Sequence, residues 1–392
     1  MQNYCFFVPT GVLFGAGMLN ELHAQKMPGK RALICISNGK STRANGYLAR
    51  TEQELDAAGT AHDVFDGIGA NPTREAVMAG AQAARACGAD FIVALGGGSV
   101  MDAAKGIALM ASNPGDVWDY VGGRTGGGKQ PEHEALPIIA VTTTAGTGSE
   151  VDCGGVISNL ETNEKIGLVH PSLYPTLAVV DPELMLTVPP KFTAYQGFDA
   201  LFHSVEGYIA KPTSPMSDMV QRAAVEHIGR YLARAVRDGS DIEARTGTAF
   251  ANTMSGYSMM VGACTSQHSM EHAMSAYHPD LPHGAGLIML SKEYFSYWIG
   301  RHVCDERFVD LARFLGKEDA VQPEDFITTL VALQKDCGVD RLDPADYGLA
   351  AEESEELALN ARETMGGLFA CDPADMPHED CAAIFRRVLA RA

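Results

Sequence analysis

The chain has 392 residues, of which 46% are hydrophobic and 20% charged, and its formal net charge is −19 at pH 7. This length predicts two domains, the composition is that of an ordinary folded protein, and the negative charge argues against nucleic acid or an anionic membrane as partner. The nine cysteines occur singly and no CxxC pair is present, so neither a thiolate zinc site nor a dithiol redox pair is expected.

The N-terminal stretch MQNYCFFVPTGVLFGAG lacks the basic start and the long apolar segment of a secretory leader. No run in the sequence approaches the ~18 apolar residues that a membrane span needs. Unpaired cysteines are typical of a reducing compartment. We therefore expect a cytoplasmic protein without a membrane segment.

The first half of the chain alternates between strand-like and helix-like segments. Strands are predicted at 31–37, 61–68, 90–95 and 136–144, and helices at 47–59, 73–89 and 99–112. Strand and helix in turn are typical of a parallel sheet with helices on both faces. Residues 1–185 are therefore expected to form an α/β domain.

The pattern of apolar and polar residues changes in the second half of the chain, from the double proline Pro189–Pro190 onward. Helical periodicity predicts helices at 193–211, 215–237, 241–263, 266–276, 288–316, 324–337, 351–370 and 377–391. No strand is predicted there. Residues 186–392 are therefore expected to form an all-helical domain.

Two glycine-rich loops each follow a predicted strand of the first half. The first, Gly96–Ser99, opens a helix at once, and the second is AGTGSE at 145–150. Glycines let backbone amides approach a phosphate, and a helix N-terminus supplies N–H groups for it. The first loop matches neither the GxGxxG nor the P-loop pattern, and one such loop alone is equally typical of a turn without a ligand. Two of them on consecutive strands predict a diphosphate site, hence a dinucleotide.

A cluster of metal-binding side chains is predicted in the second half. Asp199 and His203 lie one helical turn apart in GFDALFHSVEGY, and SQHSMEHAMSAYHPDLPHG at 266–284 adds four histidines. Those four are His268, His272, His278 and His283. Any one of them alone would more often be structural, but together they offer an N₃O or N₄O donor set that suits Fe²⁺, Zn²⁺ or Mn²⁺. The spacing does not choose between His268 and His272.

Five stretches, in order over nearly the whole chain, resemble the metal-dependent (iron-containing) alcohol dehydrogenases. They are GGGSVMDAAKG, TTTAGTGSEV, VDPEL, GFDALFHSVEGY and HSMEHAMSAYHPDLPHG. Lactaldehyde reductase, propanediol dehydrogenase and butanol dehydrogenases belong to that family. The resemblance implies a Rossmann-like dinucleotide-binding domain followed by an all-α metal-binding domain, an architecture shared with dehydroquinate synthase. It also implies an active site in the cleft between the two domains.

The resemblance assigns roles to individual positions. The implied metal ligands are Asp199, His203, His268 and His283, and His272 resembles the pocket histidine near the metal. The implied cofactor contacts are Asn71 on the adenosine side, Gly97, Gly98, Ser99 and Asp102 at the pyrophosphate, and Thr143, Thr144, Thr147, Ser149 and Lys165 at the nicotinamide half. From its sequence alone, a lone lysine such as Lys165 is more often a surface residue.

Two departures from the family pattern bear on specificity. Members that prefer NAD often have an aspartate after the early strand, where this chain has Ser37 and Asn38. The nearby Lys40, Ser41 and Arg43 are suited to a 2′-phosphate, so the choice between NAD and NADP stays open. The loop before His283 is one residue longer than in related sequences, at Asp280–Leu281, which could leave His278 near the pocket.

The resemblance implies hydride transfer between a nicotinamide and a short alcohol or aldehyde whose oxygen binds the metal. The predicted pocket residues are Val151, Cys153, Phe202 and Met259, each of which is equally typical of core packing. The alternatives are a dehydroquinate synthase-like lyase, a glycerol dehydrogenase-like metal and NAD enzyme, and a non-catalytic binding protein. A homodimer or larger homo-oligomer is expected, while the aldehyde and the native metal stay open.

Overall fold

The computed structural model describes residues 3–390, which divide into two compact units. One unit comprises residues 7–187, and the other comprises residues 188–390 together with the N-terminal residues 3–6. The first is built on a parallel sheet and the second is largely helical. The predicted fold class is therefore confirmed.

The sheet of the first unit has six parallel strands in the order β1-β8-β5-β4-β2-β3. Its strands are β1 (Gly11–Phe14), β2 (Arg31–Ser37), β3 (Ala61–Ile68), β4 (Phe91–Gly96), β5 (Ile138–Thr142) and β8 (Leu177–Val180). The central strands β4 and β5 are buried along their whole length, because helices cover both faces of a parallel sheet. This explains their unbroken apolar sequences, FIVALG and IIAVT.

The helices of this unit are α1 (Ser41–Ala44), α2 (Tyr47–Ala57), α3 (Arg74–Cys87) and α4 (Gly98–Ser112). An antiparallel hairpin, β6 (Gly154–Asn159) and β7 (Glu164–Val169), stands apart from the main sheet. Neither this hairpin nor the four-residue strands β1 and β8 were predicted. Short strands carry too few residues for a periodicity, and the hairpin strands are interrupted by glycine.

The second unit contains nine α-helices within the described residues. They are α5 (Pro190–Ile209), α6 (Pro215–Arg237), α7 (Ile242–Val261), α8 (Ser266–Tyr277), α9 (His283–Gly300), α10 (Asp305–Phe314), α11 (Glu324–Asp336), α12 (Ser354–Cys371) and α13 (His378–Leu389). Short 3₁₀ segments occur in both units. In the first they are Met18–Ala24, Val117–Asp119, Pro171–Leu173 and Pro182–Met185, and in the second Pro344–Tyr347 and Ala351–Glu353. Over residues 3–390, no helix is both long and apolar enough to cross a membrane.

The single helix predicted at 288–316 is wrong, because the chain forms two helices there. The first, α9, ends at Gly300, and α10 begins at Asp305. Between them His302 has a positive φ of 55°, a backbone conformation that no helix contains. A second break lies inside α12, where Met365 has φ −129° and ψ 38° just before two glycines.

Helix α5 is the central element of the helical unit. It packs against α6, α7 and α9, and its residues from Thr193 to Ile209 are almost all buried. A helix buried on all sides is expected to be apolar all round. The polar side chains in the middle of α5, at Asp199, His203 and Glu206, therefore need partners inside the protein.

Candidate functional site

Three imidazoles of the helical unit converge on one carboxylate oxygen, Asp199 Oδ1. His203 Nδ1 lies 3.5 Å from this oxygen, His268 Nε2 3.6 Å and His283 Nε2 3.5 Å. The His203 and His268 rings also stack, with centroids 4.3 Å apart. The structure thus brings together the four predicted metal ligands.

Local sequence explains how three helices deliver these groups to one point. Asp199 and His203 are one turn apart on α5, so they share a face. His268 lies near the start of α8, and the chain leaves α8 at Tyr277 and begins α9 at His283. Gly284 lets this helix start approach α5, since a Cβ there would collide with the Tyr195 carbonyl. The first turns of α8 and α9 therefore place His268 and His283 beside Asp199.

The ligand atoms of Asp199, His268 and His283 all lie within 4.8 Å of one another, a spacing that fits a divalent ion, and His203 lies within the same distance of His268. Asp199 Oδ1 and His268 Nε2 are buried and make no hydrogen bond to any residue from 3 to 390, and their separation is too long for one. Ligand atoms about 2.1 Å from a tetrahedral ion lie about 3.4 Å from one another. The three distances to Asp199 Oδ1 are close to that value. A carboxylate with imidazoles is a donor set that iron, zinc and manganese accept.

The electrostatics of the cluster also favour a positive charge at its centre. Burial alone would raise the pKa of Asp199, but the charges of His203 and His283, together with the His268 imidazole, hold it well below its usual range. Burial alone would lower the pKa of His268, but the Glu206 and Asp199 carboxylates raise it to about 10. The acidic groups thus draw positive charge to the point where the imidazoles meet.

Two buried carboxylates that were not predicted from the sequence stand behind the imidazoles. Glu206 on α5 accepts a hydrogen bond from His268 Nδ1, and Glu271 on α8 accepts one from His283 Nδ1. Both side chains are fully buried. The available signal was the position of each acid, since Glu206 follows His203 by three residues and Glu271 stands between two histidines in HSMEH.

Three other side chains in or beside α8 differ in whether they contact the cluster. Cys264, which was not predicted, has its Sγ within 4.8 Å of ring nitrogens of His203 and His268. His272 is buried, with its ring centroid 5.3 Å from that of His283 and its Nδ1 2.7 Å from Met365 Sδ. His278 instead ends α8 and pairs through Nε2 with Glu353 at 2.8 Å.

The two glycine loops of the α/β unit pack directly against each other. A Cβ on Gly97 would lie 2.8 Å from Thr144 Oγ1 and Cγ2, and one on Gly98 would collide with Thr147. The Thr143 backbone N–H also donates to the Gly96 carbonyl at 3.0 Å. These glycines are therefore needed for the fit of the second loop as well as for the open N-terminus of α4.

A hydrogen-bonded network next to the loops includes two of the predicted cofactor residues, Asp102 and Ser149. Asp102 accepts hydrogen bonds from Ser149 Oγ and the Val156 backbone N–H, both at 2.9 Å. Lys105 Nζ donates to Ser149 Oγ at 2.7 Å and to Asp152 Oδ1 at 2.6 Å. Asp102 and Ser149 thus join α4 to the second loop and to the hairpin.

Lys105 is the buried cation of this network, and sequence analysis missed it in favour of Lys165. It is only 1% exposed and also donates to the Gly154 carbonyl at 2.6 Å. The feature of the sequence that could have identified Lys105 is a lone lysine in the otherwise apolar stretch AAKGIALM of α4. Lys165 is also buried, on β7 opposite Ser158 in the hairpin.

A cavity of about 550 Å³ lies at the carboxyl ends of β2 and β3. It is lined by Ser37, Asn38, Gly39, Lys40, Arg43, Ala44 and Asp66. Arg43 pairs with Asp66 at 2.9 Å. The end of β2 carries no carboxylate in this cavity, as the sequence indicated. Asp66 on β3 supplies one, which was not predicted. The predicted adenosine contact Asn71 follows β3, and the neighbouring Ala70 carbonyl accepts a hydrogen bond from Ser99 Oγ.

Family models match both parts of the chain. Residues 9–182 match the model described as iron-containing alcohol dehydrogenase, and residues 193–389 match the C-terminal model of the Fe-containing alcohol dehydrogenase family. The chain belongs to the iron-containing alcohol dehydrogenase family. The family predicted from the sequence motifs is confirmed.

Relatives in the iron-containing alcohol dehydrogenase family align over nearly their whole length. The 1,3-propanediol dehydrogenase of Klebsiella pneumoniae is 32% identical over 391 residues, which are 97% of this chain and 98% of that protein. The NAD-dependent methanol dehydrogenase of Bacillus methanolicus is 31% identical, over 91% of this chain and 93% of that protein. The crystal structure of an alcohol dehydrogenase from a halo-thermophilic archaeon of a Red Sea brine pool superposes with a TM-score of 0.94. That structure is 32% identical, over 99% of this chain and 100% of its own.

The four side chains predicted to line the family's substrate pocket lie in different surroundings. Val151 and Cys153 are buried in the α/β unit, and Met259 is half-buried on α7. Phe202 is fully buried between Phe198 and Phe295, with ring centroids 5.9 Å from each. For Phe202 the surroundings favour core packing, the alternative that the sequence left open.

Proposed function

We propose that this protein is a metal-dependent, NAD(P)-linked alcohol dehydrogenase that reduces short aldehydes or oxidises the corresponding primary alcohols. The observation that carries the proposal is the convergence of three imidazoles on the buried, unbonded oxygen Asp199 Oδ1. Family membership supports it, as does the similarity to relatives named 1,3-propanediol dehydrogenase and NAD-dependent methanol dehydrogenase.

Asp199, His203, His268 and His283 would hold the ion, which we propose to be Fe²⁺, with Zn²⁺ or Mn²⁺ as substitutes. A bound divalent ion supplies a Lewis acid for a carbonyl group, and a reduced nicotinamide supplies the hydride. The four residues would fix the position of that charge, and the burial of Asp199, His203 and His268 limits the access of water to it.

In the α/β unit, we assign the pyrophosphate to the backbone amides of Gly97, Gly98 and Ser99 at the start of α4. These amides belong to the first turn of a 15-residue helix, whose N-terminus favours an anion. Thr143, Thr144 and Thr147 are assigned to the nicotinamide half. Asp102 and Ser149 act in this proposal by holding the second loop against α4.

His272 is assigned the movement of the proton between substrate oxygen and solvent. Its ring lies beside the cluster, 5.3 Å from the His283 ring, while its Nδ1 faces Met365 Sδ. An imidazole is suited to this role because it exchanges protons near neutral pH. The location of the active site between the domains, a homo-oligomeric assembly and a cytoplasmic location stay predictions, as does the choice of aldehyde.

The proposed activity is tested by adding Fe²⁺, NADH or NADPH and a panel of short aldehydes to the purified protein. The panel includes glycolaldehyde, lactaldehyde, butyraldehyde, 3-hydroxypropionaldehyde and sulfoacetaldehyde. We expect loss of the absorbance of the reduced nicotinamide with at least one aldehyde, and abolition of that loss by a chelator. Failure of every aldehyde with both cofactors, before and after metal reloading, would contradict the proposal.

A further inference from the structure

Two buried glutamates stand directly behind two of the imidazoles that face Asp199. Glu206 Oε1 accepts a hydrogen bond from His268 Nδ1 at 2.5 Å, and Glu271 Oε2 accepts one from His283 Nδ1. The two carboxylates come from different helices, α5 and α8, and neither is exposed. Each acid therefore contacts the side of its imidazole that points away from the cluster.

These hydrogen bonds determine which nitrogen each ring presents to the cluster. A carboxylate only accepts hydrogen bonds, so the proton of each neutral ring is held on Nδ1 and the lone pair lies on Nε2. Nε2 is the atom that faces Asp199 Oδ1, at 3.6 Å for His268 and 3.5 Å for His283. Both rings thus direct the lone pair of Nε2, which can bind a metal ion, toward the same point.

The orientation of Glu206 is set independently of any ion. Its second oxygen, Oε2, accepts hydrogen bonds from the backbone N–H and from Oγ1 of Thr265, both at 2.8 Å. Thr265 immediately precedes α8, the helix that carries His268. Glu206 therefore connects α5 to the start of α8 through Thr265, and its other oxygen holds the His268 ring in place.

Glu271 depends on a glycine for its place. A Cβ on Gly286 would lie 2.8 Å from Glu271 Cγ and 3.1 Å from its Oε1. Gly286 lies on α9 three residues after His283, one helical turn away on the same face. The missing side chain on α9 leaves the space in which Glu271 reaches His283.

We propose that Glu206 and Glu271 are positioning residues that preset His268 and His283 for a divalent ion and strengthen both as donors. This inference rests on the proposed function, because it takes these two histidines as metal ligands. Carboxylates behind ligand imidazoles fix the tautomer and increase the basicity of the ring. Removing one is expected to weaken metal binding about 10- to 100-fold.

The test measures the affinity for Co²⁺ and Zn²⁺ by competition with a chelator, and the visible spectrum of bound Co²⁺. We expect Glu206→Gln and Glu271→Gln each to weaken binding about 10- to 100-fold and to alter the Co²⁺ spectrum. Gly286→Ala is expected to weaken binding by displacing Glu271 without touching a ligand. Thr265→Val, which removes one hydrogen bond to Glu206, is expected to have a smaller effect.

Two matched controls separate positioning from general loss of structure. Asp372→Asn alters another buried acid, which directly follows α12 and accepts hydrogen bonds from the Ser266 backbone N–H at the start of α8 and from Tyr294 Oη. Within residues 3–390 it makes no ion pair with an imidazole. Gly300→Ala adds a methyl group to the same helix as Gly286, where nothing lies within 4 Å. Both controls are expected to keep the wild-type metal affinity and Co²⁺ spectrum.

The outcomes distinguish this inference from the proposed function. If His268→Ala loses the ion but both glutamate variants, Gly286→Ala and Thr265→Val bind it like wild type, the positioning role is wrong and the metal site stands. If wild type and His268→Ala bind metal equally, the proposed function itself fails. Should the glutamate variants not fold, as judged by circular dichroism, Gly286→Ala and Thr265→Val decide the matter by the same measurements.

Discussion

The two units solve the problem of buried polar groups in opposite ways. In the α/β unit, Lys105 and Asp102 share Ser149, and Asp152 completes the network with a 2.6 Å ion pair. In the helical unit, Asp199 Oδ1 is surrounded by three imidazole nitrogens and bonded to none. In the first arrangement the polar groups hydrogen-bond to one another. In the second, buried polar atoms face a common point and have no hydrogen-bond partner in the described part of the chain.

The difference separates a structural network from a binding site. A buried polar atom without a partner costs free energy, so a site that keeps one is expected to gain something else from it. We infer that substitutions in the helical cluster change metal binding and activity more than stability. Substitutions in the network of the α/β unit are expected to do the reverse.

The largest effect is expected for Asp199→Asn. The variant keeps the shape of the side chain but removes the negative charge on which the imidazoles converge. We expect loss of the bound metal and, because a Lewis acid contributes several kcal/mol, a fall in kcat/KM of about 1,000-fold or more. Metal analysis and steady-state kinetics check this, and a variant that retains a full equivalent of metal would remove the contrast between the units.

Lys105→Met tests the other side of the contrast. It leaves Asp152 buried without its cation, and breaking a buried ion pair in this way costs about 3–5 kcal/mol. We expect that loss in the free energy of unfolding, measured with urea, while the metal content stays unchanged. Lys129→Met is the matched control, because its ion pair with Asp119 is solvent-exposed and its loss should matter little. Equal effects of the two substitutions would show that the network contributes nothing.

Sequence periodicity predicted the elements that carry the site, and the reason lies in local spacing. The apolar runs of β4 and β5 and the i, i+4 pair on α5 are properties of neighbouring residues, which a sequence displays directly. The two helices at 283–314 were merged because the break at His302 depends on a backbone conformation rather than on a proline.

The partners of the site residues depend on contacts between distant parts of the chain. Glu206 and His268 are 62 residues apart, and Lys105 and Asp152 are 47 apart, so no local pattern connects them. For the same reason spacing did not choose between His268 and His272. Only the folded helices show that His268 Nε2 lies at Asp199, whereas the His272 ring is 6.4 Å from that of His268.

His272→Ala sharpens the comparison within the helical unit, because it removes an imidazole beside the cluster rather than one in it. Loss of a proton-transferring group is expected to lower kcat about 100-fold and to alter the pH profile of turnover, with metal still bound. Kinetics across pH, together with metal analysis, check this. Loss of the metal would instead make His272 a ligand.

The smallest effect expected is a pH dependence that originates in the α/β unit. Burial raises the pKa of Asp102 from its ordinary 3.8 to about 6. A carboxyl group that binds its proton more tightly in the folded state stabilises the fold fully below about pH 4, and this contribution is lost as the pH rises through about 6. Wild-type thermal stability should therefore fall between pH 5 and 7.5, and Asp102→Asn should reduce that fall.

The reduction by Asp102→Asn is expected to be partial. Burial also raises the pKa of Asp372 in the helical unit, to about 7, and this group acts with the same sign over a slightly higher pH range. Melting of Asp102→Asn, Asp372→Asn and the double variant separates the two contributions. A wild-type slope that neither substitution changes would exclude both carboxyls as its source.

A crystal structure of the metal-loaded protein, with anomalous scattering recorded at the absorption edge of the ion, tests the central claim most directly. The account predicts one anomalous peak bound by Asp199, His203, His268 and His283, with Glu206 and Glu271 still hydrogen-bonded to the outer nitrogens of their imidazoles. A fully loaded protein whose ion lies elsewhere, with these four side chains not bound to it, would contradict the account.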